Sequence, residues 1–385
     1  MELTELGSIL HMEKGKKPLA QSKEPTDGYL PYVDIKAFEQ GVIDNYATTD
    51  KSLLCNDGDL LIVCDGSRSG LTGIAIKGVV GSTLSKIYAD GLTTEYLRYF
   101  IQSKYLLLNT QKKGTGTPHL NANILKASKL VVPSISEQQR IVSRIEELFS
   151  SLDNAVETLQ KTKEQLTVYR QAVLKEAFEG DYKKVSLGDI SMVISGYAFK
   201  SKKYDPDGKY VVVKIGNVKE RRFDFSRDLT RTNEVDDNIL EKYLLQEGDC
   251  LITQTGSRGK RDYGFVSMIG NQTNYLLNQR VAALRFNKDV AMPQFFQYYL
   301  SSPDYRDKFF SYETGNVGQG NVGIKALSEP MVILPDIEEQ KMIIQDIEAR
   351  LSMCDSIEQT VNTALAQAEA MRQSILKEAF EGRLA

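Results

Sequence analysis

Pro133-Ser-Ile-Ser-Glu137-Gln138-Gln139-Arg140-Ile141-Val142 and Pro335-Asp-Ile-Glu-Glu339-Gln340-Lys341-Met342-Ile343-Ile344 open two long stretches with identical endings, Leu174-Lys-Glu-Ala-Phe-Glu-Gly180 and Leu376-Lys-Glu-Ala-Phe-Glu-Gly382. The offset is 202 residues at the opening prolines and again at the closing glycines, so the two copies have kept register without an insertion. That period is too long for a solenoid unit. It describes a duplicated half-protein: globular segment, long helix, globular segment, long helix.

Each copy carries an apolar stripe at mostly three- and four-residue spacing. In the first it runs through Ile141, Ile145, Leu148, Leu152, Val156, Leu159, Leu166 and Val173; in the second through Ile343, Ile347, Leu351, Cys354, Ile357, Val361, Leu365 and Ile375. Glu, Gln, Lys and Arg fill the positions between, which is coiled-coil patterning. About 40 residues of helix span roughly 60 Å at 1.5 Å per residue. A solvated spacer needs no such stripe, so the two helices are expected to pack on each other, and tandem duplication predicts that they do so antiparallel. The expected fold is α+β: two mixed α/β globular domains (residues 1–135 and 181–337) and two long antiparallel coiled-coil helices (residues 136–180 and 338–385) with pseudo-two-fold symmetry.

The globular segments repeat one another more faintly. Leu6-Gly7-Ser8-Ile9 is answered by Leu187-Gly188-Asp189-Ile190, Asp57-Gly58-Asp59 by Glu247-Gly248-Asp249, and Gly66-Ser67-Arg68 by Gly256-Ser257-Arg258. Gly and Asp clusters between β-branched runs predict strands at Tyr29–Ile35, Leu60–Cys64, Gly73–Ile76, Lys129–Val132 and Tyr210–Ile215. Helical spacing predicts helices from Thr93 to about Asn109 and from Pro293 to about Phe310. The helices stayed alike while the globular parts diverged, which points to one duty for the helices and different targets for the globular parts.

The net charge of −3 hides a segregation. Residues 1–133 carry +1 and residues 181–335 carry +3, whereas residues 134–180 carry −2 and residues 336–385 carry −5. The globular parts can therefore hold local basic patches despite the acidic total. No apolar run approaches the roughly 20 residues of a membrane span, and Met-Glu-Leu-Thr-Glu at the start lacks the order of a signal peptide, so a cytoplasmic protein is expected. The 4 cysteines form no CxxC pair and there are 2 histidines, so the cysteines read as core thiols and no metal site is expected.

No catalytic signature is present: no GxxxxGK[ST] loop, no Asn-Pro-Pro-Tyr-type motif of amino methylation, no GxGxxG in a βαβ unit. Asp57 with Asp59, and Glu247 with Asp249, sit in turns before apolar strands and read as turn residues rather than metal ligands. Nucleic-acid features are better supported. Gly66-Ser67-Arg68-Ser69-Gly70 and Gly256-Ser257-Arg258-Gly259-Lys260-Arg261 are small basic loops after strands. Glycine lets backbone amides approach phosphates, Ser donates to them, and Arg pairs two-pronged with phosphate or guanine. The loop from Lys112 and Lys113 through Thr115 and Thr117 to His119, and its counterpart with Asn316, Gln319 and Asn321, offers further groups for phosphate or base. Lys16, Lys17, Lys202, Lys203 and Arg221 are candidate phosphate contacts.

Taken together, the Pro-…-Glu-Gln openings, the Leu-Lys-Glu-Ala-Phe-Glu-Gly endings and Gly114-Thr-Gly-Thr-Pro-His-Leu-Asn121 resemble the specificity (S) subunits of type I restriction–modification systems, over the whole chain. The resemblance implies target-recognition domains at residues 1–135 and 181–337, each reading one half of a split DNA site about one helical turn from the other. It implies helices that act as a ruler and dock two modification (methyltransferase) subunits, with restriction subunits joining the larger assembly. The helix residues expected to build the coiled coil and the docking surface are Glu137, Gln138, Ile141, Ile145, Leu152, Leu159, Leu166 and Phe178, with Glu339, Gln340, Ile343, Ile347, Leu351, Ile357, Leu365 and Phe380. The chain itself is expected to be non-catalytic and without cofactor, S-adenosylmethionine belonging to the partner methyltransferase. One departure from the family's pattern is the short stretch before Leu6, with which the pairing is expected to rely on the central and C-terminal helices. Two other classes stay open on sequence: a fused methyltransferase–specificity chain, against which the missing motif counts, and a coiled-coil adaptor that binds only protein.

Overall fold

The computed structural model describes residues 3–114, 118–226, 228–233, 235–316 and 318–384. They divide into two units, Met1–Gln160 with Asn362–Ala385, and Lys161–Val361. The repeated stretches are two uninterrupted helices, Ile135–Glu176 and Ile337–Phe380. Each unit thus holds the opening part of one long helix and the closing part of the other.

Within each unit the helix parts run antiparallel. In the second unit Arg170 pairs with Asp355 and, at 2.6 Å, with Glu358, while Arg350 pairs with Glu176 at 2.8 Å. Rising numbers on one helix meet falling numbers on the other. In the first unit Asp153 pairs with Arg372. The expected stripe is buried where the helices meet the globular core. Of its residues, Ile145 lies in the first unit's cluster, beside Leu376 and Ala379 from outside the stripe, and Val173, Ile347 and Leu351 lie in the second's, beside Ile344. Leu166, Cys354 and Val361 are also buried, and Ile141, Leu152, Leu159, Ile343 and Leu365 half-buried. Ile357 corrects the expectation: it is 39% exposed. The seam passes through Cys354, Glu358 and Val361, and a residue one place off that line points about 100° away.

The two repeated glutamines also depart from the partner-facing role expected of them. Gln138 and Gln340 are fully buried. Gln138 Oε1 accepts from Thr93 N at 2.8 Å, and its Nε2 donates to Gly91 O at 2.7 Å and Pro133 O at 3.0 Å. Gln340 makes the same set with Met292 N at 2.8 Å, Val290 O at 2.9 Å and Pro335 O at 2.9 Å. Each amide clamps the start of a long helix to the start of a helix in the preceding domain. Glu339 closes a capping box: its N–H donates to Asp336 Oδ1 at 2.8 Å and its carboxylate accepts from Asp336 N at 3.1 Å. Glu137 stands at the matching place, its N–H 3.4 Å from Ser134 Oγ.

Phe178 and Phe380 are core residues rather than docking residues. Phe178 packs edge-on against Phe295 and Tyr299 at 5.4 and 5.2 Å, and Phe380 against Tyr96 and Phe100 at 5.1 and 5.3 Å. Each long helix therefore starts on the domain that precedes it and ends on the helix of the other domain.

One sheet topology recurs in both globular parts. A four-stranded antiparallel sheet has the order Leu10–Lys14, Leu84–Ala89, Leu60–Val63, Thr72–Ile74 in the first unit. In the second the order is Ser191–Ser195, Val281–Phe286, Cys250–Thr253, Val266–Met268. The central strand is buried on both faces, which explains its unbroken apolar run. Alternation sends Leu60 and Ile62 into the core shared with the helices, and Leu61 and Val63 into a second core with Val33 and Val80. Cys250 and Ile252 part from Leu251 in the same way.

Several expected elements end early for local reasons. The strand from Tyr29 stops at Val33, because Asp34 caps the helix Ile35–Gln40 by accepting from Ala37 N at 2.9 Å. The helix from Pro293 is two helices, Pro293–Ser301 and Pro303–Ser311. Pro303 supplies no N–H and disfavours helical backbone at Ser302, whose hydroxyl accepts from Tyr305 N at 3.4 Å. The helix expected from Thr93 is likewise divided, into Thr94–Ser103 and Tyr105–Thr110. The Asp residues of the turns act as turn formers: Asp59 Oδ2 accepts from Asn56 N at 2.7 Å and Asp249 Oδ2 from Gln246 N at 2.8 Å. All four cysteines are buried, and burial pushes the Cys55 thiol up to about 11.

Candidate nucleic-acid interface

In each unit the two loops singled out from sequence meet at one end of the sheet. In the first, Gly66 N donates to Pro118 O at 2.8 Å, and Leu120 N donates to Cys64 O at 2.7 Å. Asp65 and His119 form a backbone bridge. In the second, Val322 N donates to Gln254 O at 2.9 Å. Thr255 pairs with Asn321 and Gly256 with Gly320. The neighbouring loop stems match as well: Lys113 with His119, and Thr314 with Asn321, each exchange two backbone hydrogen bonds. Thr115 and Thr117 lie outside the described residues.

The register matches the surrounding positions one by one. Lys14 stands opposite Ser85 as Ser195 stands opposite Ala282. Cys64 N donates to Thr83 O as Gln254 N donates to Arg280 O. The strand end after Lys14 and Ser195 is glycine both times, because a Cβ at Gly15 would collide with the carbonyl of Gly81 and one at Gly196 with that of Asn278.

The first unit places charge here. Lys14 Nζ donates to Asp65 Oδ2 at 2.8 Å, and His119 Nδ1 donates to Asp65 Oδ1 at 2.7 Å. Burial works against the Asp65 carboxylate, but the two donors outweigh it and hold its pKa below the usual range. An ionised carboxylate only accepts, so His119 Nδ1 carries the proton and Nε2 is left outward. The Lys14 and His119 side chains are about half exposed and Asp65 is 17% exposed: one sheltered anion aims two outward groups. They border a cleft of 420 Å³. A second cleft of 510 Å³ adjoins it, walled by Asp34, Lys36, Glu39, Ser67 and Arg68, where Arg68 pairs with Glu39.

Of the other expected contacts in this unit, Lys16, Lys17 and Lys113 are exposed. Lys112 Nζ donates to Ser67 O at 2.9 Å and props the loop. Ser69 is a correction: it is fully buried, and its hydroxyl donates to Gly66 O at 2.8 Å, so it shapes the loop from inside.

The second unit builds the same cleft, 500 Å³, from neutral groups and one arginine: Ser195, Gln254, Thr255, Arg280, Gln319 and Asn321 among them. Arg280 is exposed with φ +72°, a left-handed backbone that non-glycine residues adopt at a cost of order 1–3 kcal/mol and that clusters at functional sites. Arg258 ties the two loops together, donating to Gly315 O at 2.7 Å. Ser257 N donates to Asp262 Oδ1 at 2.7 Å. Lys260 and Asn316 are exposed.

Arg261 pairs with Asp307 at 2.6 Å and covers the Phe310 ring at 5.2 Å. Arg221 is a second correction. Its guanidinium lies 6.0 Å over the Tyr298 ring with Nη1 buried, so it packs the hairpin onto a helix rather than reaching outward. Lys202 is exposed, and Lys203 lines a separate cavity of 130 Å³ with Tyr197, Phe199 and Tyr204.

Sequence reading passed over Asp65 and Thr255, and also Lys14, Ser195 and Arg280, as site residues. The first two directly precede the Gly-Ser-Arg loops and could have been included on that ground. Arg280 has no sequence signal, since its place depends on strand register.

Each unit thus carries a cleft at the loop junction on one end of its four-stranded sheet, built on one backbone plan with a different polar lining. The model of the type I restriction modification DNA specificity domain matches residues 1–168 and 179–367. The chain belongs to this family. It is 26% identical to the type I restriction enzyme MjaVIII specificity subunit of Methanocaldococcus jannaschii, across 100% of this chain and 92% of that one. It is 27% identical to the type I restriction enzyme EcoKI specificity subunit of Escherichia coli, across 93% and 83%. Among solved structures, a chain from work on complex assembly and conformational transition of the type I R-M system superposes with a TM-score of 0.76 at 19% identity, covering 99% of this chain and 98% of that one. The HsdS subunit from Thermoanaerobacter tengcongensis gives 0.58 at 18% identity, covering 99% and 97%. These two share the fold. No helix among the described residues is long and apolar enough to cross a membrane.

Proposed function

We propose that this chain is the DNA-recognition subunit of a type I restriction–modification complex, each recognition domain binding one half of an asymmetric bipartite site. The observation that carries the reading is the loop junction built twice on one backbone plan with unlike side chains, Lys14, Asp65 and His119 against Ser195, Thr255 and Asn321. One plan serves one task; unlike linings serve unlike sequences. The long helices set the spacer and dock two methyltransferase subunits, and restriction subunits join the full complex. The chain contributes recognition and no chemistry of its own; S-adenosylmethionine belongs to the methyltransferase.

The test is to insert four residues into one long helix and sequence the methylated adenines in cells that carry the chain and its methyltransferase. The expected result is an altered spacer between unchanged half-sites. Altered half-sites would overturn the ruler, and the lack of any bipartite methylated motif in wild-type cells would overturn the recognition reading itself.

A further inference from the structure

The duplicated cleft permits a sharper statement, which rests on the recognition reading above. We infer that the position shared by His119 and Asn321 is a base-reading position in each domain, and that Lys14 with His119 reads a guanine–cytosine pair in one half-site while Asn321 reads adenine in the other.

Three observations carry this. The first is equivalence: His119 and Asn321 bridge the residue before the Gly-Ser-Arg loop, Asp65 and Thr255, and exchange two backbone hydrogen bonds with the stems Lys113 and Thr314. A side chain at this place projects from a backbone pinned on both sides, which a base-reading group requires and a phosphate contact on a long flexible stem does not. The second is orientation. Asp65 spends both oxygens on Lys14 Nζ and His119 Nδ1, at 2.8 and 2.7 Å, and so fixes the two outward groups side by side. The remaining ammonium donors of Lys14 suit O6 and N7 of guanine in the major groove, and the unprotonated Nε2 of His119 suits the N4 amino group of the paired cytosine. The third is contrast. The second domain has no anion at the matching place, where Thr255 stands, and Ser195 replaces the lysine. Asn321 is exposed, and its side-chain amide has no hydrogen-bond partner among the described residues. One amide presents an acceptor and a donor together, the complement of N6 and N7 of adenine.

The test uses the full chain in complex with its methyltransferase subunit, and reads the bound motif by selection from randomised duplexes. Asn321→Ala should relax one adenine position of one half-site by about ten-fold or more and leave the other half-site untouched. Lys14→Ala should relax one guanine position of the other half-site by a similar factor. The combined change Lys14→Ser, Asp65→Thr, His119→Asn should remake that half-site alone. If Lys14→Ala and Asn321→Ala lower affinity equally for every sequence, or alter nothing, the inference is overturned while the recognition reading stands. If the wild-type complex selects no sequence at all, the recognition reading fails first. The single alanine variants replace exposed side chains, so their folding is not at stake.

Discussion

Gln138 and Gln340 make the same three hydrogen bonds in the two units, each with one acceptor bond to a helix-start N–H and two donor bonds to carbonyls. Both side chains are fully buried, so every one of those bonds replaces solvent that cannot return. The residue most visible as a repeat in the sequence is thus a joint between a long helix and the domain before it.

Replacing Gln138 by Leu strands Thr93 N and the carbonyls of Gly91 and Pro133. Buried polar groups left unpaired cost about 1–3 kcal/mol each, so the expected loss is on the order of 3 kcal/mol or more, visible in urea unfolding. Hydrogen exchange at the Thr93 amide should rise in parallel. The neighbouring Gln139 is exposed, and Gln139→Leu should stay within about 0.5 kcal/mol of wild type. Equal effects of the two changes would refute the clamp.

Ile347 and Ile357 look alike in the apolar pattern but differ in the fold. Ile347 is fully buried and Ile357 is 39% exposed. Ile347→Ala should destabilise by about 2–5 kcal/mol, whereas Ile357→Ala should cost within about 0.5 kcal/mol. Thermal unfolding of the two variants separates them.

Arg170 holds the Glu358 carboxyl below its ordinary pKa through a hydrogen bond that outweighs the small cost of burial. A carboxylate depressed in the folded state stabilises above its unfolded pKa, near 4.3, and that contribution is lost as the pH falls through the lower folded value. Arg170→Ala should therefore lower stability at pH 7 by up to about 1 kcal/mol in low salt, and the gap to wild type should close on acidification. A gap that widens toward acid pH would contradict the pairing.

Arg68 and Ser69 are neighbours with opposite duties. Arg68→Ala should weaken DNA binding and reduce the salt slope of log K by about one if Arg68 meets a phosphate. Ser69→Ala removes a buried donor to Gly66 O and should cost roughly 1 kcal/mol of stability. Binding titrations across salt concentration, read beside melting curves, distinguish the two.

The duplication was legible in the residues themselves, because a register of 202 held over both helices can be read without coordinates. So were the helical stripes, the two Gly-Ser-Arg loops and their partner loops, since each follows from local spacing and backbone preference. What each long helix touches was not legible. Identical Leu-Lys-Glu-Ala-Phe-Glu-Gly endings say that Phe178 and Phe380 meet similar surroundings. Only the tertiary structure shows that Phe178 packs on Phe295 of the following domain and Phe380 on Phe100 of the first. Likewise, Lys14, Asp65 and His119 are scattered along the chain, as are Ser195, Arg280 and Asn321. Strand register brings each set to one cleft, and register is a property of paired strands that no single stretch of sequence carries.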